Sequence, residues 1–146
     1  MSTIFADKFK NTSGGNNVKV NQLSGIDTAG SISVQGEGTA TTNLQQGLAK
    51  AWVNFTGITT TATRDSFNIS SIADDGTGSH RGLFTNNMSN ANFANTAMKQ
   101  AESTNADCTE YTTGSNSTSQ VERKDVENNA VRDAANTNTL TFGDLA

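Results

Sequence analysis

Few residues in this chain of 146 could carry out acid–base or nucleophilic chemistry. His80 is the only histidine and Cys108 the only cysteine, so a Ser-His-Asp or Cys-His arrangement would have to use one of them. The histidine lies in "GTGSHRGL", which does not resemble a nucleophile elbow, and we expect it to be an exposed turn or strand residue. The 14 acidic residues are scattered and indicate no glycosidase-type carboxylate pair. We therefore expect no catalytic residue and no enzymatic activity.

Metal and cofactor sites are also poorly supported by the sequence. Asp74 and Asp75 could ligate Ca²⁺ through oxygen, but the EF-hand spacing is absent and a tight hairpin turn explains "DDG". A lone cysteine excludes an intrachain disulfide and a cluster of paired thiolates. "GEG" and "GTG" lack the lysine and helix of a phosphate-binding loop. We expect no metal and no cofactor.

The composition indicates a β-rich, turn-rich chain with a small core of its own. Thr, Asn, Ser and Gly account for 67 residues, whereas Leu, Ile, Val and Phe account for only 26. Such a lean apolar content is typical of disorder when net charge is high, but the formal charge here is only −4. Association of subunits could supply the missing apolar burial. The pI near 4.8 and the absence of a Lys/Arg cluster argue against nucleic-acid binding.

No segment of the sequence predicts targeting or membrane insertion. The first residues, "MSTIFADKFK", lack the apolar run of a secretory signal, and no later run approaches the roughly 18 residues of a membrane span. We expect a soluble protein that is synthesised in the cytoplasm.

The chain is predicted to contain an arm, a connector and a β domain. Residues 1–40 hold short strands that bury little, so a neighbouring copy should order them. Residues 41–52 place Leu44, Leu48 and Trp52 on one stripe of a short helix, although Gly47 weakens it. The stripe would pack on the domain or on copies of itself. The candidates for the subunit interface are Ile4, Phe5, Val18, Val20, Leu44, Leu48 and Trp52.

Residues 50–146 predict an antiparallel β-sandwich, jelly-roll-like and mainly β, of six to eight strands. Ala51, Val53 and Phe55 alternate with polar neighbours, and Gly/Asn turns separate the later runs. Residues 120–136 fit neither the helix nor the strand period, and strand, helix and loop stay open for the whole of 99–136. The predicted core residues are Val53, Phe55, Phe67, Ile69, Phe93 and Phe142.

Three stretches between residues 47 and 94 are distinctive: "GLAKAWVNFTG", "RDSFNISSIADDGTG" and "FTNNMSNANF". Together they resemble a segment that recurs in tail-fibre and related virion proteins of tailed phages, especially marine ones. The start, "STIFADKFKNTSGG", is similar to the N-terminal attachment segment of those proteins, and the end, "TLTFGDLA", to their closing strand.

The resemblance implies a non-enzymatic virion component of the tail or particle surface, often a homotrimer. Its N-terminal arm would engage other tail or capsid proteins, and its β domain would face outward toward a host-surface glycan or protein. Two alternatives stay open: a capsid decoration or tail adaptor protein, and a glycan-degrading tail protein. Glycan binding without hydrolysis also stays open, because Trp52 and Tyr111 could stack on sugars.

Overall fold

The structure is a computed structural model that describes residues 32–35, 39–100, 108–111, 116–127 and 129–146. The predicted interface residues Ile4, Phe5, Val18 and Val20 lie outside these ranges, as do the side chains of Cys108 and Tyr111. The elements in chain order are β1 (Ser33–Gln35), β2 (Thr41–Asn43), α1 (Leu44–Gly47), β3 (Ala51–Thr56), β4 (Ala62–Phe67), β5 (Ile69–Gly76), β6 (Ser79–Phe84), β7 (Ala94–Lys99), β8 (Cys108–Tyr111), β9 (Gln120–Glu127), β10 (Ala130–Val131) and β11 (Thr137–Phe142).

Two antiparallel sheets form the β domain. Sheet I has the strand order β4-β3-β11-β7. Sheet II has the order β5-β6-β9, and β9 also pairs with β8 and with β10. The two sheets have a sandwich-like arrangement, which confirms the predicted mainly β, antiparallel class. The short strands β1 and β2 pair separately, before the domain begins.

The helix is much shorter than predicted. It spans only Leu44–Gly47, with the Asn43 side chain accepting a hydrogen bond of 3.0 Å from the backbone N–H of Gln46. The predicted helix is wrong beyond Gly47: the backbone N–H of Lys50 already donates to Thr141, and Trp52 lies in β3. A glycine lowers helix propensity, and pairing with β11 offers the following residues a complete hydrogen-bond ladder.

The hairpin predicted at "DDGTG" is confirmed between β5 and β6. Gly76 and Gly78 have φ angles of +118° and +61°, which glycine adopts without steric cost. Their backbone N–H groups donate to Asp74 Oδ1 at 2.9 Å and Asp133 Oδ1 at 2.6 Å. The aspartates of this region therefore have a structural explanation as turn residues.

The interior of the sandwich contains both apolar and polar side chains. Ala51, Phe84, Met88 and Val121 form the buried apolar cluster, and Ile69 and Phe93 pack against it as predicted. The predicted core residues Val53 and Phe55 are buried as well. Charged and hydroxyl side chains are buried as well: His80, Arg123, Asp125, Glu127, Thr137, Thr139 and Thr141. Lys50 is buried before β3, where its Nζ donates to the Leu48 carbonyl at 2.9 Å.

Two of the predicted core residues are wrong. Phe67 is 51% exposed and lies opposite Trp52, on the face of sheet I that points away from sheet II. Phe142 is only partly buried, and strand alternation puts it on the same face, since Thr141 is the buried neighbour in β11. A period of two identifies two faces but does not say which of them is covered.

The segment left open at 99–136 contains the strands β8, β9 and β10 in the part that the structure describes. β9 alternates so that Val121, Arg123 and Asp125 all point between the sheets, and all are buried. The sequence did not predict this strand because two of its inward positions carry charged residues, so the apolar alternation that indicates a strand is absent.

Candidate functional site

The first candidate site is the buried cluster around Arg123, inside the sandwich. The Arg123 guanidinium donates from Nη2 to Asp125 Oδ1 and from Nη1 to Thr139 Oγ1 at 2.8 Å. The guanidinium carbon lies 5.1 Å from the centre of the Phe55 ring, within cation–π range. Thr137 Oγ1 is 3.5 Å from Asp125 Oδ2, a long hydrogen bond at the limit of the accepted range.

His80 is fully buried in β6, so the expectation of an exposed residue is wrong. Its ring meets Phe55 edge-on at 5.1 Å, and Nδ1 lies 3.9 Å from Asp125 Oδ2, too far for a hydrogen bond. Neither ring nitrogen has a hydrogen-bond partner among the described residues. Burial lowers the pKa of His80 below its usual 6.5; Asp125 and Asp74 oppose this shift, and Arg123 adds to it.

Gly57 makes room for this ring. A Cβ at that position would lie 2.8 Å from His80 Cε1, closer than carbon atoms normally approach. This contact could not be predicted from the sequence, because the two residues are 23 positions apart. Gly57 follows β3 of sheet I and His80 lies in β6 of sheet II, so only the packing of the two sheets brings them together.

A second buried ion pair joins the two sheets. Lys99 Nζ, on β7, lies 3.0 Å from Glu127 Oε2, on β9, and both side chains are almost completely buried. Its partners come from opposite sheets, so it ties sheet I to sheet II at one point of the interior.

The charged groups of the interior form ion pairs. Arg123 and Asp125 pair within β9, Lys99 and Glu127 pair across the two sheets, and these four side chains are almost completely buried. Among the described residues no group of three or more His, Cys, Asp or Glu side chains could hold a metal ion. No helix in the described part of the chain is long and apolar enough to cross a membrane.

The second candidate site is the outer face of sheet I, defined by Trp52, Asn54, Asp65, Phe67, Thr96, Met98, Asn138, Leu140 and Phe142. A row of large apolar side chains crosses three neighbouring strands, because Trp52 pairs with both Phe67 and Leu140. Met98 lies on the fourth strand and pairs with Asn138. Met98 is 72% exposed and Leu140 is 39% exposed.

β11 turns polar side chains inward and apolar side chains outward, the reverse of an ordinary sandwich strand. Its buried residues are Thr137, Thr139 and Thr141, whereas Leu140 and Phe142 lie on the outer face. Strands of a sandwich normally turn their apolar residues inward and their polar residues outward. The outer face is therefore the surface of this domain that most needs an apolar cover.

Carboxamides lie beside the apolar row. Asn54 Nδ2 donates to Asn136 Oδ1 at 2.6 Å and to Asn138 Oδ1 at 2.7 Å, which fixes three amides in one group. An open groove of about 480 Å³ runs along β7 and β11 here; its lining residues are Thr96, Ala97, Met98, Lys99, Gln100, Asn136, Asn138 and Leu140.

The interface residues predicted from the sequence are only partly brought together. Trp52 belongs to the outer face, but Leu44 and Leu48 precede the domain and do not share a helical stripe with it. Phe67, Met98 and Leu140 were not predicted as surface residues. The alternation of "TLTF" indicates that Leu140 and Phe142 lie on one face of a strand, but it does not say whether that face is buried or exposed.

The distinctive motif residues build turns. Asn68 has a φ of +56°, and its Oδ1 accepts from the Asn86 backbone N–H at 2.7 Å while its Nδ2 donates to the Asn86 carbonyl at 3.1 Å. This pair fixes the β4–β5 turn to the segment after β6. Together with Gly57, Gly76 and Gly78, it shows that these positions have structural roles in the sandwich.

Comparisons of the chain with family models, with curated proteins and with solved structures find no match. The outer face and the buried cluster are therefore the observations from which function is inferred.

Proposed function

We propose that this chain is a structural protein of a phage virion, similar to a tail fibre, and that it assembles as a homotrimer. Its residues 1–40 would attach it to other tail or capsid proteins, and its β domain would face outward to recognise a host-surface glycan or protein. In this role it needs no catalysis and no cofactor.

The observation that supports this proposal best is the outer face of sheet I. Phe67, Leu140 and Met98 place exposed apolar surface on a domain whose interior is partly filled by threonines and ion pairs. Burying apolar surface stabilises a protein by about 25 cal/mol per Å², so a chain arranged this way gains from association. A protein that works by assembly would have such a face.

The motif shared with tail-fibre proteins adds a second, weaker support. Its glycines and Asn68 hold the turns of the sandwich, so the resemblance concerns the scaffold and is consistent with a common fold. It does not bear on the receptor.

The test is to locate the chain on intact particles with a gold-labelled antibody against residues 50–146. Labelling at the tail periphery is the expected result. Labelling of the head lattice or the tail tube would overturn the fibre role in favour of a decoration or adaptor protein, and absence from purified particles would overturn the virion role altogether.

A further inference from the structure

We propose that the outer face of sheet I faces the threefold axis of the assembly, so that the sheets of three copies form the sides of a triangular prism. This inference rests on the homotrimer of the proposed function and specifies which surface makes it. In this arrangement, the outer face of each copy is covered by the two other copies of the chain.

The width of the sheet fits three copies. Sheet I has four strands, and at about 4.8 Å per strand it is roughly 19 Å wide. Three such sheets on the sides of an equilateral triangle would each lie about 5.5 Å from the axis, close to half the ~10 Å at which packed sheets face each other. Four copies would leave each sheet about 9.5 Å from the axis, which is too far for side chains to fill the centre.

The distribution of exposure along the face also favours a closed ring. Its most exposed apolar residues lie on the edge strands: Phe67 on β4, at 51%, and Met98 on β7, at 72%. On the central strands Leu140 is 39% exposed, and Trp52 is partly buried. In a prism the β4 edge of one copy meets the β7 edge of the next at each corner, which covers both edges, with Phe67 level with Thr96 and Met98 level with Asp65. A face-to-face dimer would leave both at its rim.

The polar groups of the face are compatible with burial at an axis. The charged residue among its defining members, Asp65, lies on the edge strand β4 and therefore near a corner of the prism. Asn54 and Asn138 lie on the central strands, already hydrogen-bonded to each other at 2.7 Å. Buried amides of this kind can fix register and copy number in an assembly.

The experiment is light scattering coupled to size-exclusion chromatography on the full chain and on two matched variants. Leu140 and Ile58 are both 39% exposed, but Ile58 lies in the loop after β3 and outside the face. The native chain and Ile58→Lys are expected at three times 15.3 kDa. Leu140→Lys is expected to elute as a monomer, or to need at least about tenfold more protein to reach the trimer.

Met98→Lys is a second variant whose folding is not at risk, since the side chain is 72% exposed on an edge strand. It is expected to weaken the trimer in the same way, with an unchanged far-ultraviolet circular dichroism spectrum. Trp52 is the only tryptophan, so acrylamide quenching of its fluorescence reports on the face directly. Quenching should be weak in the native trimer and strong in both face variants.

Several results would overturn the inference. A native monomer or dimer would do so, and so would a trimer that survives both face variants or that leaves Trp52 equally accessible in all variants. A native monomer or dimer would also overturn the homotrimer of the proposed function, whereas the other two results would overturn only the choice of surface. The virion role is tested separately, by the position of the antibody label on the particle.

Discussion

Replacing the members of the buried Arg123–Asp125 pair tests whether the interior depends on charge pairing. Removal of either partner leaves the other charge buried and uncompensated, which typically costs about 3–5 kcal/mol. We therefore expect Arg123→Met and Asp125→Leu each to lower the free energy of unfolding by that amount. A chain of this length should lose about 10–15 °C in Tm for each single replacement.

The double variant separates pairing from mere loss of packing. With both charges gone, no unpaired charge remains, and replacing a buried pair by apolar residues is often close to neutral. We expect Arg123→Met/Asp125→Leu to be more stable than the sum of the single changes predicts, by about 3 kcal/mol. Urea unfolding at fixed protein concentration and pH 7.5, followed by circular dichroism, measures all four forms.

The Arg81–Asp75 pair is the matched control. Its Nε–Oδ2 distance is 2.6 Å, but both side chains are partly exposed. The same Arg→Met and Asp→Leu cycle there should give a much smaller coupling energy, because solvent screens an exposed pair. If the buried pair coupled no more strongly than this exposed pair, the account of the interior as a paired ionic network would be refuted.

Three further predictions concern the turns and the buried histidine. Because burial lowers the pKa of His80 in the folded state, the unfolded chain binds the extra proton, and stability should fall as the pH drops below about 6.5. His80→Leu should flatten this pH dependence in urea unfolding between pH 7.5 and 5.5, and an unchanged slope would contradict this origin. Gly57→Ala should destabilise by about 1–3 kcal/mol because its Cβ would meet the histidine ring, whereas Gly47→Ala, with nothing within 4 Å, should not; equal Tm values for the two would argue against the close contact. Asn68→Gly should lower the Tm less than Asn68→Ala, since glycine accepts the φ of +56°; the reverse order would mean that backbone strain is not the deciding factor.

Local features of the fold could be predicted from the sequence because they depend on neighbouring residues. The β5–β6 hairpin follows from the glycines of "DDGTG", which accept positive φ angles, and from aspartates that bond to nearby N–H groups. The alternation at 51–56 likewise identified β3. The helix predicted at 41–52 is wrong beyond Gly47, because the residues from Ala51 onward pair with β11 as a strand. The stripe of Leu44, Leu48 and Trp52 gives no information about this distant partner.

The candidate face could not be predicted because burial depends on contacts far apart in the sequence. Phe67 and Leu140 become neighbours of Trp52 through pairing with β4 and β11, and the face they form is the side away from sheet II. The burial of the charged residues of β9 could not be predicted either. A buried Arg123 requires hydrogen-bond partners, and Thr139, one of the two it has, comes from a strand of the other sheet.

The amino-acid sequence is sufficient to predict the mainly β class, the positions of the tight turns and the scarcity of residues for catalysis, since composition and short-range backbone preferences set these. That threonines and ion pairs lie inside while Phe67, Met98 and Leu140 lie outside follows only from the packing of the sheets. An alternating strand is symmetric between its two faces, and only the pairing of distant strands and the stacking of one sheet on the other break that symmetry.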